Sequence, residues 1–486
     1  MSSQELAEFE AYIVELERSL GHADREAPFR GYTTGLLLPL ERKSVEPMAA
    51  RLDPARATAA HQSLHHFVAK AEWSDAALLS ATRVAVLPAI ERCGPVEAWI
   101  VDDTGMPKKG QHSVGVARQY CGQLGKPENC QVAVSLSVAN EAASLPLAWR
   151  LYLPEEWAHD GERRRKVGVP AEVEFATKPA IALAQIEAAL QAGVPKGVVL
   201  ADAGYGADMK FQARLTELGL DFILGVQPRA KIWIDGQQPL PPEPWRGRGR
   251  PPTNLRRDGD HQPVEAKGWA MALPAEAWQD VTWREGTKGE LGSRFTAARI
   301  RPAHRDYWRN QPWPEVTVLA EWPAGEPEPT KLWFANMAAD TPLAELVRLA
   351  KLHWRIERDY LELEQELGLG HYEGRGWRGF HHHASLCIAA YGYLVKQRLA
   401  LSPSGRPNGP DGGVEPERPQ PAPLPASYIP RGSPRKARAP RPELHRHHAR
   451  PYRRQACTCV AAMSVLFAAA RARPKATKGT AQFMTQ

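Results

Sequence analysis

With 486 residues, 43% of them apolar, the chain is too long for one ordinary core and is expected to divide into two to four domains. A formal net charge of +7 leans towards a polyanionic partner such as nucleic acid. Six cysteines are too few for a disulfide scaffold, the first residues carry acids where a signal peptide needs an apolar run, and the apolar stretch at 460–470 is too short for a bilayer, so secreted disulfide-rich and membrane-spanning classes are excluded.

Residues 1–92 read as a helical N-terminal region. Leu6, Phe9, Ile13, Leu16 and Leu20 recur at helical spacing, and "DAALLSATRVAVLPAIERCG" forms a second periodic stretch stopped by Gly94 and Pro95. From 93 to 227 the pattern becomes α/β. Strands are predicted at 96–102, 130–139 and 145–153, then a helix "PAIALAQIEAALQAG", a strand "GVVLAD", a helix near 208–218 and a strand "DFILGV". Three strands in meander followed by alternating helix and strand predict a mixed sheet flanked by helices.

Residues 228–340 break that rhythm with Pro/Gly/Arg-rich loops and the strand-like runs "DVTWRE", "SRFTAARIR", "EVTVLAEW" and "KLWFAN", a β-rich insertion. The segment 341–400 is read as one long helix, "LAELVRLAKLHWRIERDYLELEQELGL", and a second apolar helix around 384–399. The long helix has a predicted buried stripe of Leu349, Leu352, Ile356, Tyr360, Leu363 and Leu367. Residues 401–486 are expected to be a mostly disordered basic tail with a short terminal helix; between Arg431 and Arg454 nine Lys/Arg face one acid. Three adjacent histidines, 381–383, spread over different faces of a helix and are read as packing residues.

Chemistry concentrates in three places. "VDDTGMPKKG" ends an apolar strand in Asp102 and Asp103 and continues through a turn to Lys108 and Lys109. "VLADAGYG" ends another strand in Asp202, with glycines shaping the turn. Glu357 sits one position off the buried stripe of the long helix. Acids at strand ends can cap a following helix, or can share a divalent cation that offsets their repulsion; sequence spacing leaves both open. Lys108, Lys109, His112 and Arg118 can contact phosphates or form a solvated turn, and Tyr120 shares the strand alternation of Arg118. "RGRGRPP" resembles a minor-groove hook through Arg248 and Arg250, or is a flexible charged loop.

These blocks, with "HSVGVARQYCGQLGKPENCQVAVSLSVAN" and "HWRIERDYLELEQELGLGHYEGRGWRG", resemble the DDE transposases of bacterial insertion sequences over roughly residues 30–400. The resemblance implies an RNase H-like core with a β-rich insertion, which accounts for the step of 155 positions from Asp202 to Glu357. It also implies an enzyme that cuts and joins DNA with two Mg2+ or Mn2+ ions held by Asp102, Asp202 and Glu357. Asp103 is the alternative first ligand. The implied partners are double-stranded transposon-end and target DNA, which the helical N-terminal region is expected to help recognise, and a second copy in a synaptic dimer. The implied location is the bacterial cytoplasm, at the nucleoid. Relatives stack aromatics on displaced bases, a role open to Trp354, Trp283 and Trp333 beside plain core packing. The sequence departs from a related branch's Tyr–Arg–Glu–Lys pattern at Ala350, His353 and Glu364, which favours the alternative of a catalytically impaired DNA-binding descendant.

Overall fold

The computed structural model describes residues 3–286 and 289–401; the expected basic tail, with Cys457 and Cys459, lies outside the described residues. Five helices open the chain: α1 (Ser3–Glu17), α2 (Glu26–Leu37), α3 (Val45–Leu52), α4 (Ala57–Ala69) and α5 (Asp75–Glu91). The spacing read in the first of them holds, since Phe9, Ile13, Leu16 and Leu20 are all buried. Ser74 starts α5 by accepting the Ala77 N–H, satisfying one donor left over at the helix end.

The core sheet begins with β1 (Ala98–Pro107), β2 (Ala117–Cys121), β3 (Lys126–Ala139) and β4 (Ser144–Leu151). After the short helices α6 (Glu155–Ala158) and α7 (Gly161–Val167) come α8 (Lys178–Gln191), β5 (Val198–Ala201), α9 (Ala203–Gly206), α10 (Met209–Glu217) and β6 (Phe222–Gly225). Strand β3 runs antiparallel to β1 and to β4, while β5 and β6 run parallel to β1 on its other side. The order β4-β3-β1-β5-β6 is the RNase H-like mixed sheet expected. One boundary differs. The sequence suggested a turn directly after Asp103, yet Thr104–Pro107 stay extended because β3 pairs with them as far as Cys130, and the chain turns only at Lys108.

The insertion contributes β7 (Lys231–Trp233), β8 (Val264–Glu265), α11 (Ala266–Ala272), β9 (Gln279–Gly286), β10 (Gly289–Pro302), β11 (Val316–Trp322) and β12 (Lys331–Ala335). Strand β12 pairs with β6, so the insertion prolongs the core sheet to twelve strands. Period-two alternation explains how β11 serves two cores. Val316, Val318 and Ala320 face a small cluster that includes Ala266 and Ala270 of α11, whereas Leu319 joins the main core.

Three helices finish the described chain: α12 (Leu343–Lys351), α13 (Trp354–Gln365) and α14 (Trp377–Leu401). The single long helix anticipated here is two. Around Leu352 and His353 the backbone N–H groups of Leu352, Arg355 and Ile356 bond three residues back instead of four, a local tightening of the kind found at hinges. Both residues keep right-handed helical angles, so the stripe survives the break; Leu349, Leu352, Ile356, Tyr360, Leu363 and Leu367 are all buried. Helix α14 is apolar on nearly every side because the N-terminal helices pack on one flank and the sheet on the other. Tyr12 donates to the Ala389 carbonyl at 2.7 Å, and one continuous core joins residues of α1 to residues of β1, α13 and α14. The three histidines find separate partners there: His381 meets Trp377 O and the Leu151 N–H, His382 meets Val68 O and Trp73 O, and His383 meets the Tyr32 hydroxyl and Gly368 O. Among the described residues no helix is long and apolar enough to cross a membrane.

Burial pushes the imidazoles of His353, His382 and His383 down from 6.5 to about 4. A base depressed in the folded state keeps its stabilising balance above pH 6.5 and loses it as pH falls towards 4, at up to about 1.4 kcal/mol per pH unit per group. The melting temperature is therefore expected to drop on acidification through this window. His383→Gln, which retains a donor and an acceptor, should flatten part of that slope; an unaltered slope would show that His383 does not contribute to it.

Candidate active site at the end of strand β1

Asp102 and Asp103 are neighbours on a strand, so they aim at opposite faces of the sheet. Asp102 pairs in register with Ser135 of β3, whose hydroxyl lies 2.8 Å from that of Tyr360 on α13. Two residues on, the Thr104 hydroxyl donates to Glu364 of the same helix at 3.1 Å. Asp102 therefore belongs to the face covered by α13. Asp103 belongs to the α8 face: Lys178, the first residue of α8, sits 2.7 Å from its Oδ2, and the Tyr205 hydroxyl donates to its Oδ1 at 3.2 Å.

Asp202 reaches the same strand ends through the parallel pair. Ile100 lies opposite Leu200, and two residues further along each chain stand Asp102 and Asp202. The capping role considered for Asp202 is real. Its Oδ1 accepts the Gly204 N–H at 2.8 Å and the Tyr205 N–H at 3.4 Å, opening α9. The turn fits only because two glycines meet there, since a Cβ on Gly206 would stand 1.9 Å from the Gly225 carbonyl oxygen.

Glu357 is exposed on the first turn of α13. Tyr360 and Glu364 follow it at i+3 and i+7, one helix face, and both touch the Asp102 side of the sheet. The rotation of α13 is held from behind by buried Asp359, whose Oδ1 accepts from Ser144 of β4 at 2.6 Å and from Tyr391 of α14 at 2.7 Å. Asp102 and Asp202 respond to their surroundings. Burial, then Asp103, and then Asp202 and Glu357 hold the Asp102 carboxyl well above the usual carboxylate range, against the opposing pull of the Asp103 N–H. Burial and Asp103 also raise Asp202, while its two capping N–H groups and Lys178 pull it down.

All of these donors are carboxylate oxygens, the hard ligands that suit Mg2+ or Mn2+. Their shared repulsion is the kind that a divalent cation relieves. Among the described residues no three of His, Cys, Asp and Glu are yet drawn close enough to cage an ion. The acids are instead occupied by Lys178, by the α9 cap and by the Asp103 N–H that Asp102 accepts at 2.8 Å.

The remaining candidates separate clearly. Lys108 donates to Tyr372 O at 2.9 Å, which ties its charge to the loop before α14, and burial lowers it to about 8. Lys109 and His112 are exposed, as are Arg118 and Tyr120, which alternate with Gln119 and share one face of β2. Arg248 and Arg250 lie exposed in an irregular loop. The guanidinium groups of Arg284 and Arg355 lie over the Trp354 ring, 4.0 and 4.5 Å from its centre. Trp283 and Trp333 pack around Lys351, which is ion-paired to buried Glu321 at 2.6 Å and fastens the insertion to α12. Sequence reasoning missed Lys178 and Tyr205. The signal for Lys178 was a lysine in the first turn of a helix, where the dipole disfavours it.

Three comparisons bear on this geometry. The family model described as DDE superfamily endonuclease matches residues 15–290. A curated relative, "Probable transposase for insertion sequence element IS701" of Microchaete diplosiphon, is 29% identical over 231 residues, 47% of this chain. The chain thus spans little more than half of that relative, 56% of its length. Among solved structures, a piggyBac transposase synaptic complex with hairpin DNA overlays 77% of this chain and 65% of its own, with a TM-score of 0.40 and 9% identity, a likeness too slight to carry an inference.

Gly206→Ala should cost at least about 1–3 kcal/mol, because the new methyl collides with backbone that cannot swing away; an unchanged melting temperature would contradict the close approach. Asp102→Asn should raise the melting temperature in EDTA at neutral pH, since it removes a carboxyl whose ionised form is disfavoured first by burial and then by Asp103. A lower value would mean that the charge is compensated.

Proposed function

The chain belongs to the DDE superfamily endonucleases, and from that premise we propose that it is a transposase that cuts and joins phosphodiester bonds at the ends of an insertion sequence. What supports this reading is that Asp102 and Asp202 stand at adjoining ends of the paired strands β1 and β5, while α13, the helix that carries Glu357, packs on the Asp102 face through Tyr360 and Glu364.

In this reading Asp102 and Asp202 hold two divalent ions, Mg2+ or Mn2+, and Glu357 completes the second position. Such a pair supplies an activated attacking oxygen and a stabilised leaving oxygen. The protein's own groups do the rest. The α9 cap and the Asp359 hydrogen bonds keep the acids in position, so little ordering is left for the moment of reaction. Exposed Lys109, His112 and Arg118 beside β1 offer phosphate contacts that place the strand without reading its sequence. Trp354, with Arg284 and Arg355 over its ring, is the candidate aromatic for an unstacked base. Arg248 and Arg250 are candidates for a minor groove. The helices of residues 1–92 are assigned to end recognition, and joining two ends calls for two copies of the chain. Asp102 is preferred over Asp103 as first ligand because it faces α13, while Asp103 is engaged on the opposite face.

A second reading is a DNA-binding descendant that no longer cuts. Glu364 favours it, standing where the resembled pattern has a lysine and accepting hydrogen bonds from Thr104 and Gln123.

The test is cleavage and strand transfer on element-end DNA with Mg2+. Asp102→Ala, Asp202→Ala and Glu357→Ala should each lose roughly a thousandfold in rate while still binding DNA. A dead Asp103→Ala beside an active Asp102→Ala would move the first ligand. Wild-type protein that binds ends and never nicks them would select the second reading, and activity in all four variants would end the carboxylate mechanism.

A further inference from the structure

Asp103 is the acid of β1 left without a task by the two-metal reading, and both of its oxygens are engaged. The Lys178 ammonium lies 2.7 Å from one and the Tyr205 hydroxyl 3.2 Å from the other. The positions of these partners give the contacts meaning. Tyr205 belongs to the turn that Asp202 opens, and its N–H helps to cap that carboxylate. Lys178 stands at the N-terminal end of α8, where the helix dipole opposes a cation, so attraction from the acids must outweigh that opposition. With the two side chains only 30% and 21% exposed, solvent screening of the pair is incomplete.

We propose that Asp103, Lys178 and Tyr205 form a positioning latch: Asp103 ties α8 and the Asp202 turn to β1, and Lys178 is a built-in counter-cation that holds the acids together before divalent ions bind. The counter-cation half rests on the metal-dependent reading above; the latch itself does not. An ammonium and a divalent cation answer the same negative charge. Lys178 therefore stabilises the metal-free protein and weakens divalent binding, setting the concentration at which Mg2+ loads.

The test is thermal melting of the full chain in EDTA and across a magnesium chloride series. Lys178→Met should melt lower than wild type in EDTA and gain more from Mg2+, with the half-maximal concentration falling by roughly tenfold. Lys178→Arg should stay near wild type. Tyr205→Phe should lower the EDTA melt without moving the Mg2+ midpoint. A Lys178→Met midpoint equal to that of a Mg2+-responsive wild type overturns the counter-cation role and leaves the active-site reading standing. A wild type indifferent to Mg2+ ends the metal reading and the counter-cation role together. The latch is judged in EDTA alone by a double-mutant cycle of Asp103→Asn with Lys178→Met, where strictly additive losses overturn it. Lys178→Gln supplies the same comparisons if the methionine variant does not fold.

Discussion

Repulsion among carboxylates at the end of β1 is the constraint around which this molecule is arranged. Two unit charges about 5 Å apart repel by roughly 3 kcal/mol at an effective dielectric near 20, several times the net worth of an ordinary hydrogen bond. Hydrogen bonds alone therefore cannot hold several acids in one place, and positive charge is required. The structure supplies it in part, through the Lys178 ammonium and the N–H groups that open α9. Burial first, and then the repulsion that remains, hold the Asp102 carboxyl above the usual carboxylate range.

Holding α13 against the Asp102 face is a separate problem, because the helix follows the whole insertion in sequence. It is solved by contacts to three strands and a helix: Thr104 with Glu364, Ser135 with Tyr360, and Ser144 and Tyr391 with Asp359. Each fixes the rotation of α13 rather than adding much stability by itself. The insertion is secured independently, by Lys351 on Glu321 among Trp283, Phe295 and Trp333. Between that rivet and the acid helix lies the tightened turn at Leu352 and His353, so the two attachments are joined by the one point where the helix breaks.

Several elements were legible before any coordinates. The apolar runs of β3 and β11, the helical spacing in α1 and the stripe across α12 and α13 all report burial, which local sequence encodes through the run and period of apolar residues. The break after Lys351 was invisible for the same reason: right-handed angles persist through it, so the apolar period never changes. The extension of β1 to Pro107 was missed because "TGMP" has turn-like composition, and its extended shape comes from pairing with β3. Lys108 and Lys109 looked alike as neighbours in a chain, yet one is tied to the Tyr372 carbonyl and the other faces solvent.

By itself, then, the sequence determined which residues are acids at strand ends, the order of core, insertion and final helices, and the family those blocks resemble, because each is carried by local pattern. Only the tertiary structure decided which face of the sheet each aspartate serves, that Lys178 and Tyr205 answer Asp103, and that Glu364 bonds to Thr104. Those are contacts between residues tens to hundreds of positions apart, and no local period records them.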